Sequence, residues 1–531
     1  MASFDLQLSP YRRGEEWAGF DVAYRVALPT VAQGQTLLRL PEVFLSMPAS
    51  RIEGLLVSDA EGPLNLVEQD LVSDPSGTYR SWTADRDTAG ELSVTVRSPA
   101  REIDELTPVG PLLDLRPEPW GLFGAGGYFI PLPVVEGEFD IRLDWSLPEG
   151  ATAVTTRGQG SQSWKGDVQS VSYAYYGAGT PQIVPADSPN FGIHAYSDTP
   201  YDLETVAAYV RELHGHMSGF FEDSGSNFQV LVRRFLGKGD GGTALPPGSF
   251  AFGYSAVEPK DATELTWLLA HEMTHNWPHL DGAFDGSGLH SWYSEGAAEY
   301  YSHAIPLRAG LQSAEVIAEH LSGRLREYDV NPLRVLSNLD AANSSWTDAR
   351  AQRIPYGRGL QYLISTDGYI REATQGARSL DDIVLALLRA QRKGEPAGAE
   401  RWVELVAELT GPIAKERFEA MAAGMPIEQP SVAWEGSLRP VYVENPEFDL
   451  GFDVASYAGS PRKVKGLIRG SNAELAGVRE GDILVDKALP YHATRSFGKE
   501  MILPLMRDGN RIDVSYHPSG RLVPGIAFVA E

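Results

Sequence analysis

The chain has 531 residues, 43% of them hydrophobic and 10% aromatic, which is enough to bury several cores and too long for one. Its 45 Lys and Arg against 71 Asp and Glu give a formal charge of -26, an acidity that argues against nucleic acid and anionic membranes as partners. Cysteine is absent, so disulfides, thiolate metal ligands and thiol nucleophiles are excluded too, while the compartment stays open. The opening Met1-Ala2-Ser3-Phe4-Asp5-Leu6 lacks the basic and apolar regions of a signal peptide. A chain whose leader had been removed on export would read the same as a cytoplasmic one. No run approaches the roughly 18 apolar residues of a membrane span.

From the start to about Thr180, short β-branched and aromatic segments alternate with Gly, Pro and Asp turns, as in Phe20–Leu28, Glu91–Val96, Phe139–Trp145 and Ser170–Tyr176. That cadence predicts an N-terminal antiparallel β-sandwich over residues 1–180. The pattern changes after Asp187-Ser188-Pro189. Thr205–Phe221 predicts a helix, Phe228–Phe235 a strand, and Ser249–Tyr254 another strand beyond a glycine-rich loop. Helices dominate from Asp261 to about Met425, so residues 181–428 read as an α+β, mostly helical domain. Met425-Pro426-Ile427-Glu428-Gln429-Pro430 reads as a linker, and residues 429–531 as a compact module of ordinary domain size.

Chemistry concentrates in His271-Glu272-Met273-Thr274-His275 and in Trp292-Tyr293-Ser294-Glu295-Gly296. On a helix, His271 and His275 project from one face and can share an ion, with Glu272 beside them as a base for water. Glu295 on a second helix is the expected third ligand. Three protein ligands and one open position are the mark of a catalytic rather than a structural zinc, so the pattern points to one Zn2+ and a hydrolase acting on peptides. Asp261 is expected to cap the metal-binding helix with Glu264 as its capping-box partner, Leu265, Trp267, Leu268, Leu269 and Met273 to bury it on nearly all sides, and Pro278 to end it. Turns at Asp281-Gly282 and Asp285-Gly286-Ser287-Gly288 return the chain towards Glu295. One turn later Glu299 can receive the outer N–H of a ligating histidine; the competing role is that of a solvated surface carboxylate. His279 and His290 rank below Glu295 as ligands. His214, His216, His303, His320, His492 and His517 form no comparable cluster.

These motifs, together with Pro355-Tyr356-Gly357-Arg358-Gly359, Asp367, Ile370-Arg371-Glu372-Ala373-Thr374 and Ser379-Leu380-Asp381-Asp382, resemble the glycyl-aminopeptidase family of gluzincin metallopeptidases, from about Tyr201 to the C-terminus. The resemblance implies a thermolysin-like catalytic domain, zinc on His271, His275 and Glu295, Glu272 as general base, and Tyr356 as the phenol that hydrogen-bonds the oxyanion. Arg358 stands where the motif usually has Lys, a conservative change. The family's glycine-rich edge strand corresponds to Gly241-Gly242-Thr243-Ala244-Leu245-Pro246-Pro247. Ala244 occupies the place of the Glu that holds a substrate's amino group, with Asp240 as a substitute. The residues after the second histidine, Asn276-Trp277-Pro278-His279, also depart from the family. Phe250 and Phe252 lie in an extended stretch, Gly248–Gly253, that would either pair with substrate backbone or sit inside the sheet.

Leu450-Gly451-Phe452 and the run Gly466–Leu484 resemble a C-terminal PDZ domain of bacterial type. The resemblance implies a groove in which backbone N–H groups near Gly451 meet a peptide C-terminus, with Asn472–Ala476 as a short helix closed by Gly477. Two functions follow: a zinc peptidase, aminopeptidase rather than endopeptidase, or a catalytically quiet peptide-binding protein.

Overall fold

The computed structural model describes residues 2–531 apart from 75–76, 105–106, 108–109, 189, 226, 238, 284–286, 346–347, 458–460 and 486–499. Pro189, Asp285, Gly286 and His492 lie outside the described residues. The chain divides into two compact units, Met1–Trp277 and Pro278–Glu531.

The first unit opens with strands that alternate in burial. Ala2–Arg13 buries Phe4, Leu6 and Leu8 on one face, the period-2 pattern of a sheet with one face in a core. It sits in a seven-stranded sheet beside Glu16–Ala27 and Phe139–Trp145, accompanied by a five-stranded and a six-stranded sheet. The β-rich expectation is met, but the antiparallel sandwich needs correction. Among the described residues three sheets form instead of two, and Ala2–Arg13 runs parallel to Phe139–Trp145, with Phe4 opposite Ile141. Parallel neighbours need a long connection, and residues 14–138 supply it while building other strands. Ser170–Tyr176 also differs. Asp167 Oδ1 accepts the Ser170 N–H at 2.9 Å, which starts a helical turn at Gln169–Ser172 and delays the strand to Tyr175–Gly179.

A further sheet of this unit carries strands β1 (Gln182–Val184), β2 (Phe191–Ala195), β3 (Phe228–Phe235), β4 (Gly241–Ala244) and β5 (Ser249–Ser255), in the order β1-β2-β3-β5-β4. Helices α1 (Leu203–Phe220) and α2 (Ala262–Thr274) belong to the same unit. Asp261 Oδ1 accepts the Glu264 N–H at 2.8 Å, the expected N-cap. Leu265, Leu269 and Met273 are buried, whereas Trp267 and Leu268 are only half-buried. The helix stops at Thr274, before Pro278. The residues beyond it anchor its end: Asn276 Oδ1 accepts the Ser249 N–H at 3.0 Å, Trp277 donates to Asp223 at 2.7 Å, and its ring stacks on Phe221 at 5.1 Å.

In the second unit, α3 (Ser291–Arg308), α4 (Ala314–Asp329) and α5 (Ile354–Thr374) dominate. Helices α3 and α5 cross where Gly296 meets Gly359, and a Cβ on Gly296 would lie 2.6 Å from the Gly359 backbone. Only paired glycines let two backbones approach so closely. Trp292 fixes the crossing from α3 by edge-on contact with Tyr362, Trp402 and Phe418 at 5.4–5.7 Å. Asp367 accepts the Leu380 N–H at 2.8 Å and pairs with Arg371 at 2.7 Å, so that part of the sequence motif is structural.

Arg358 is fully buried and donates to Asn338 Oδ1, Arg334 O, Leu336 O and Tyr328 Oη at 2.6–3.3 Å. A lysine cannot reach four acceptors in that plane, so the exchange read as conservative is not. Arg358→Lys is expected to lower stability by about 1–3 kcal/mol, the scale of one orphaned buried acceptor. An unchanged denaturation midpoint would contradict it.

The stretch read as a linker is docked on α5: Ser365 donates to Glu428 O at 2.6 Å, and Gln429 donates to Gln361 O at 2.9 Å. Beyond it β6 (Leu438–Phe448) pairs with β7 (Ser519–Ala530). Asp329 of α4 accepts the Ile526 N–H of β7 at 3.0 Å, and burial raises its carboxyl to about 7. Asn472–Leu475 forms the expected short helix, with Ser471 accepting the Glu474 N–H at 3.2 Å. No helix among the described residues is long and apolar enough to cross a membrane.

Candidate active site

Helix α2 brings two predicted ligands together. His271 lies in its last turn, and His275 is the C-cap at φ -57° and ψ -9°, still in helical register. Their Nε2 atoms face each other at 3.1 Å. Two nitrogens on one tetrahedral zinc, each about 2.0–2.1 Å from it, stand about 3.3 Å apart. The spacing therefore fits an ion shared by both imidazoles. Glu272 is buried beside them at 7% exposure.

The glycine-rich strand β4 packs on Glu272. A Cβ on Gly242 would overlap the Glu272 side chain, with Oε1 at 2.6 Å, so only glycine leaves the carboxylate its place. The strand is itself fixed from the N-terminal sheets. Tyr175 donates to Thr243 O at 3.0 Å, the Thr243 hydroxyl donates to Gly242 O at 2.6 Å, and the Leu112 N–H donates to that hydroxyl at 3.0 Å. Burial, with the Glu272 charge adding to it, holds the Tyr175 phenol above its ordinary range, so it remains a neutral donor. Gly242→Ala is expected to displace Glu272 and to lower kcat about 10²-fold, the scale for a 1 Å misplacement of a catalytic group. An unaltered kcat in the folded variant would contradict that packing.

Of the two readings of Phe250 and Phe252, the interior strand holds and the substrate-pairing role is corrected. Strand β5 is paired on both sides, parallel to β3 and antiparallel to β4, and both rings are fully buried, so it has no edge for substrate. The strand at the end of the sheet is β4, carrying Gly241, Gly242 and Ala244. Ala244 lies opposite Phe250 and is half-buried. Asp240, its suggested substitute, is paired with Lys260 at 2.8 Å.

In the second unit Glu295 lies half-buried in the second turn of α3, and Glu299 follows one turn later at 2% exposure. The surface-carboxylate role for Glu299 is thereby removed. Arg324 of α4 donates to both its oxygens, at 3.0 and 2.5 Å, a bidentate partner that nothing in the sequence signalled. Tyr356 is in the first turn of α5, after Pro355, with the Arg353 guanidinium 3.8 Å above its ring. His290 is the N-cap of α3, and the His279 carbonyl accepts Gln391 Nε2 at 2.9 Å. His303 and His320, read as isolated, are hydrogen-bonded at 2.8 Å across α3 and α4.

Further on, Leu450 and Phe452 are buried in the core of the C-terminal residues, and the Gly451 N–H donates to Asp449 Oδ1 at 2.8 Å. The N–H expected to meet a peptide carboxylate already meets a carboxylate of the chain itself.

Part of the second unit carries a family likeness, and the chain as a whole a likeness of fold. Residues 286–359 match the model of the M61 glycyl aminopeptidase family, a stretch that holds Glu295, Glu299 and Tyr356 of the motifs that resemble it. Among solved structures, an aminopeptidase N family protein from Idiomarina loihiensis shares the fold at a TM-score of 0.66 and 14% identity, over 99% of this chain and 98% of its own. Yeast LTA4 hydrolase in complex with bestatin aligns at 0.51 and 14%, over 80% of this chain and 69% of its own. The M1 zinc metallopeptidase from Deinococcus radiodurans aligns at 0.50 and 15%, over 82% and 97%. No curated protein matches the sequence.

Proposed function

We propose that the chain is a zinc-dependent aminopeptidase acting on peptides with a small N-terminal residue such as Gly or Ala. His271 and His275, with Glu295 as the third ligand that the family resemblance implies, would hold one ion. The observation that carries the reading is the pair of imidazole Nε2 atoms 3.1 Å apart on α2, with Glu272 between them in sequence and held by Gly242. Zinc, when bound, supplies the Lewis acidity that makes water a nucleophile near neutral pH. Glu272 takes the proton of the attacking water and passes it to the departing amine. Tyr356 donates a hydrogen bond to the oxygen on which negative charge develops, an interaction of the kind whose loss costs about 3–4 kcal/mol. Glu299, immobilised by Arg324, orients a ligating histidine through its outer N–H.

The residue order supports three domains, 1–180, a gluzincin-type domain at 181–428 and a PDZ domain at 429–531, with a peptide C-terminus as possible partner at Leu450, Gly451 and Phe452. The Asp449 contact to Gly451 opposes that last role. An endopeptidase or dipeptidase-like enzyme is the second reading, favoured by Ala244 and by the pairing of Asp240 with Lys260, because an ammonium ion in the site would need a charged partner. A quiet scaffold accords poorly with a chain that retains all three ligand types and the base. Zinc-loaded protein incubated with free and N-acetylated peptides decides between them. Free peptides trimmed from the N-terminus support the aminopeptidase; blocked peptides cut at comparable rates overturn it.

A further inference from the structure

Between Glu299 and Tyr356 runs a string of alternating charges that the reaction as described does not use. Arg324 holds Glu299 bidentately, and its Nη1 lies 3.6 Å from Glu327 Oε2. The same Glu327 oxygen lies 3.8 Å from Arg353 Nη2, and the Arg353 guanidinium covers the Tyr356 ring at 3.8 Å. All five side chains line one small cavity, closed by Tyr328, Gly357 and Leu360. Arg353 side-chain exposure is 18% and that of Glu327 is 20%, so the charges are screened less than surface pairs would be.

We propose that Arg353 is a positioning residue for Tyr356, set in place by Glu327 and through it by Arg324 on α4. The inference rests on Tyr356 being the oxyanion's hydrogen-bond donor. A guanidinium stacked on a phenol fixes the plane of the ring, and so the direction of its hydroxyl. Its positive charge also stabilises the electron density the phenol gains as it donates towards a developing anion. Both effects grow in the transition state, so they raise kcat and leave KM alone. The link through Glu327 makes α4 a bracket that spans Glu299 and Tyr356 within this unit.

The experiment is a double-mutant cycle on the full zinc-loaded chain, using Arg353→Ala, Arg353→Lys, Tyr356→Phe and the double variant Arg353→Ala/Tyr356→Phe. Zinc content and thermal unfolding are measured alongside kcat and KM. Arg353→Ala is expected to lower kcat about tenfold with KM and zinc content unchanged. Arg353→Lys, which keeps the charge, should recover part of the loss, and in the Tyr356→Phe background Arg353→Ala should change kcat less than about twofold. If Tyr356→Phe lowers kcat and the Arg353→Ala loss persists in full on that background, the positioning role is overturned. A tenfold rise in KM with kcat intact overturns it as well. If Tyr356→Phe is itself silent, the oxyanion assignment fails first. A loss of kcat that tracks a drop in melting temperature, and that Arg353→Lys does not relieve, assigns Arg353 to folding alone.

Discussion

Glu272→Gln is expected to lower kcat by about 10²–10⁴-fold, the range for loss of a positioned general base, while zinc stays bound. The carboxamide keeps the size of the side chain, so the close packing of Gly242 against it is preserved. It cannot accept the proton of the attacking water. Neither imidazole is touched, so metal content should be unchanged. The variant therefore separates proton transfer from metal binding. Steady-state kinetics beside elemental analysis reads both at once. Zinc-replete protein turning over at near-normal rate would remove Glu272 from the chemistry.

Glu295→Ala should act on the opposite term. Losing a direct ligand is expected to weaken zinc binding by more than the roughly 10–100-fold typical of a lost outer partner. A ligand present at 100 times its Kd adds about 2.7 kcal/mol to folding stability. The zinc-dependent rise in melting temperature should therefore shrink or vanish in the variant. Glu299→Ala is the matched control: it removes a carboxylate one turn away on the same helix, so its zinc loss should stay within the outer-partner range. Equal zinc-induced stabilisation in Glu295→Ala and the parent chain would show that the third ligand lies elsewhere.

The site was legible where it depends on local spacing. His271 and His275, four apart on a helix begun by Asp261, needed only the 3.6-residue period and a cap to be placed side by side. Glu299 and Tyr356 were legible as positions but not as environments. Arg324 comes from another helix 25 residues away, and no periodicity encodes such a pairing. The same limit hid His320 from His303, and Tyr175 from the Thr243 carbonyl. Gly242 stood in the motif, but that its missing Cβ is the space used by Glu272 is a tertiary fact.

The fold followed the same division. Phe139–Trp145 and Phe228–Phe235 read correctly to the residue because apolar alternation and flanking turns bounded them. Strand order did not follow, since the parallel pairing of residues 2–8 with 139–145 joins segments that local pattern cannot relate. Strand β5 stays open between two readings in the sequence for a related reason. Its run of apolar residues suits an edge offered to substrate and an interior strand equally, and only pairing on both sides settles it. Arg358 shows what a motif cannot carry. Its position matched a family Lys, but the four acceptors around it come from four other residues of this chain.

X-ray absorption at the zinc edge, on the full chain loaded with one equivalent of metal, tests the central claim most directly. Two imidazole nitrogens and carboxylate oxygen at about 2.0–2.2 Å are predicted, with the imidazole scattering reduced in His271→Ala and in His275→Ala. A chain that retains no zinc, or a spectrum that neither histidine substitution alters, would contradict the account.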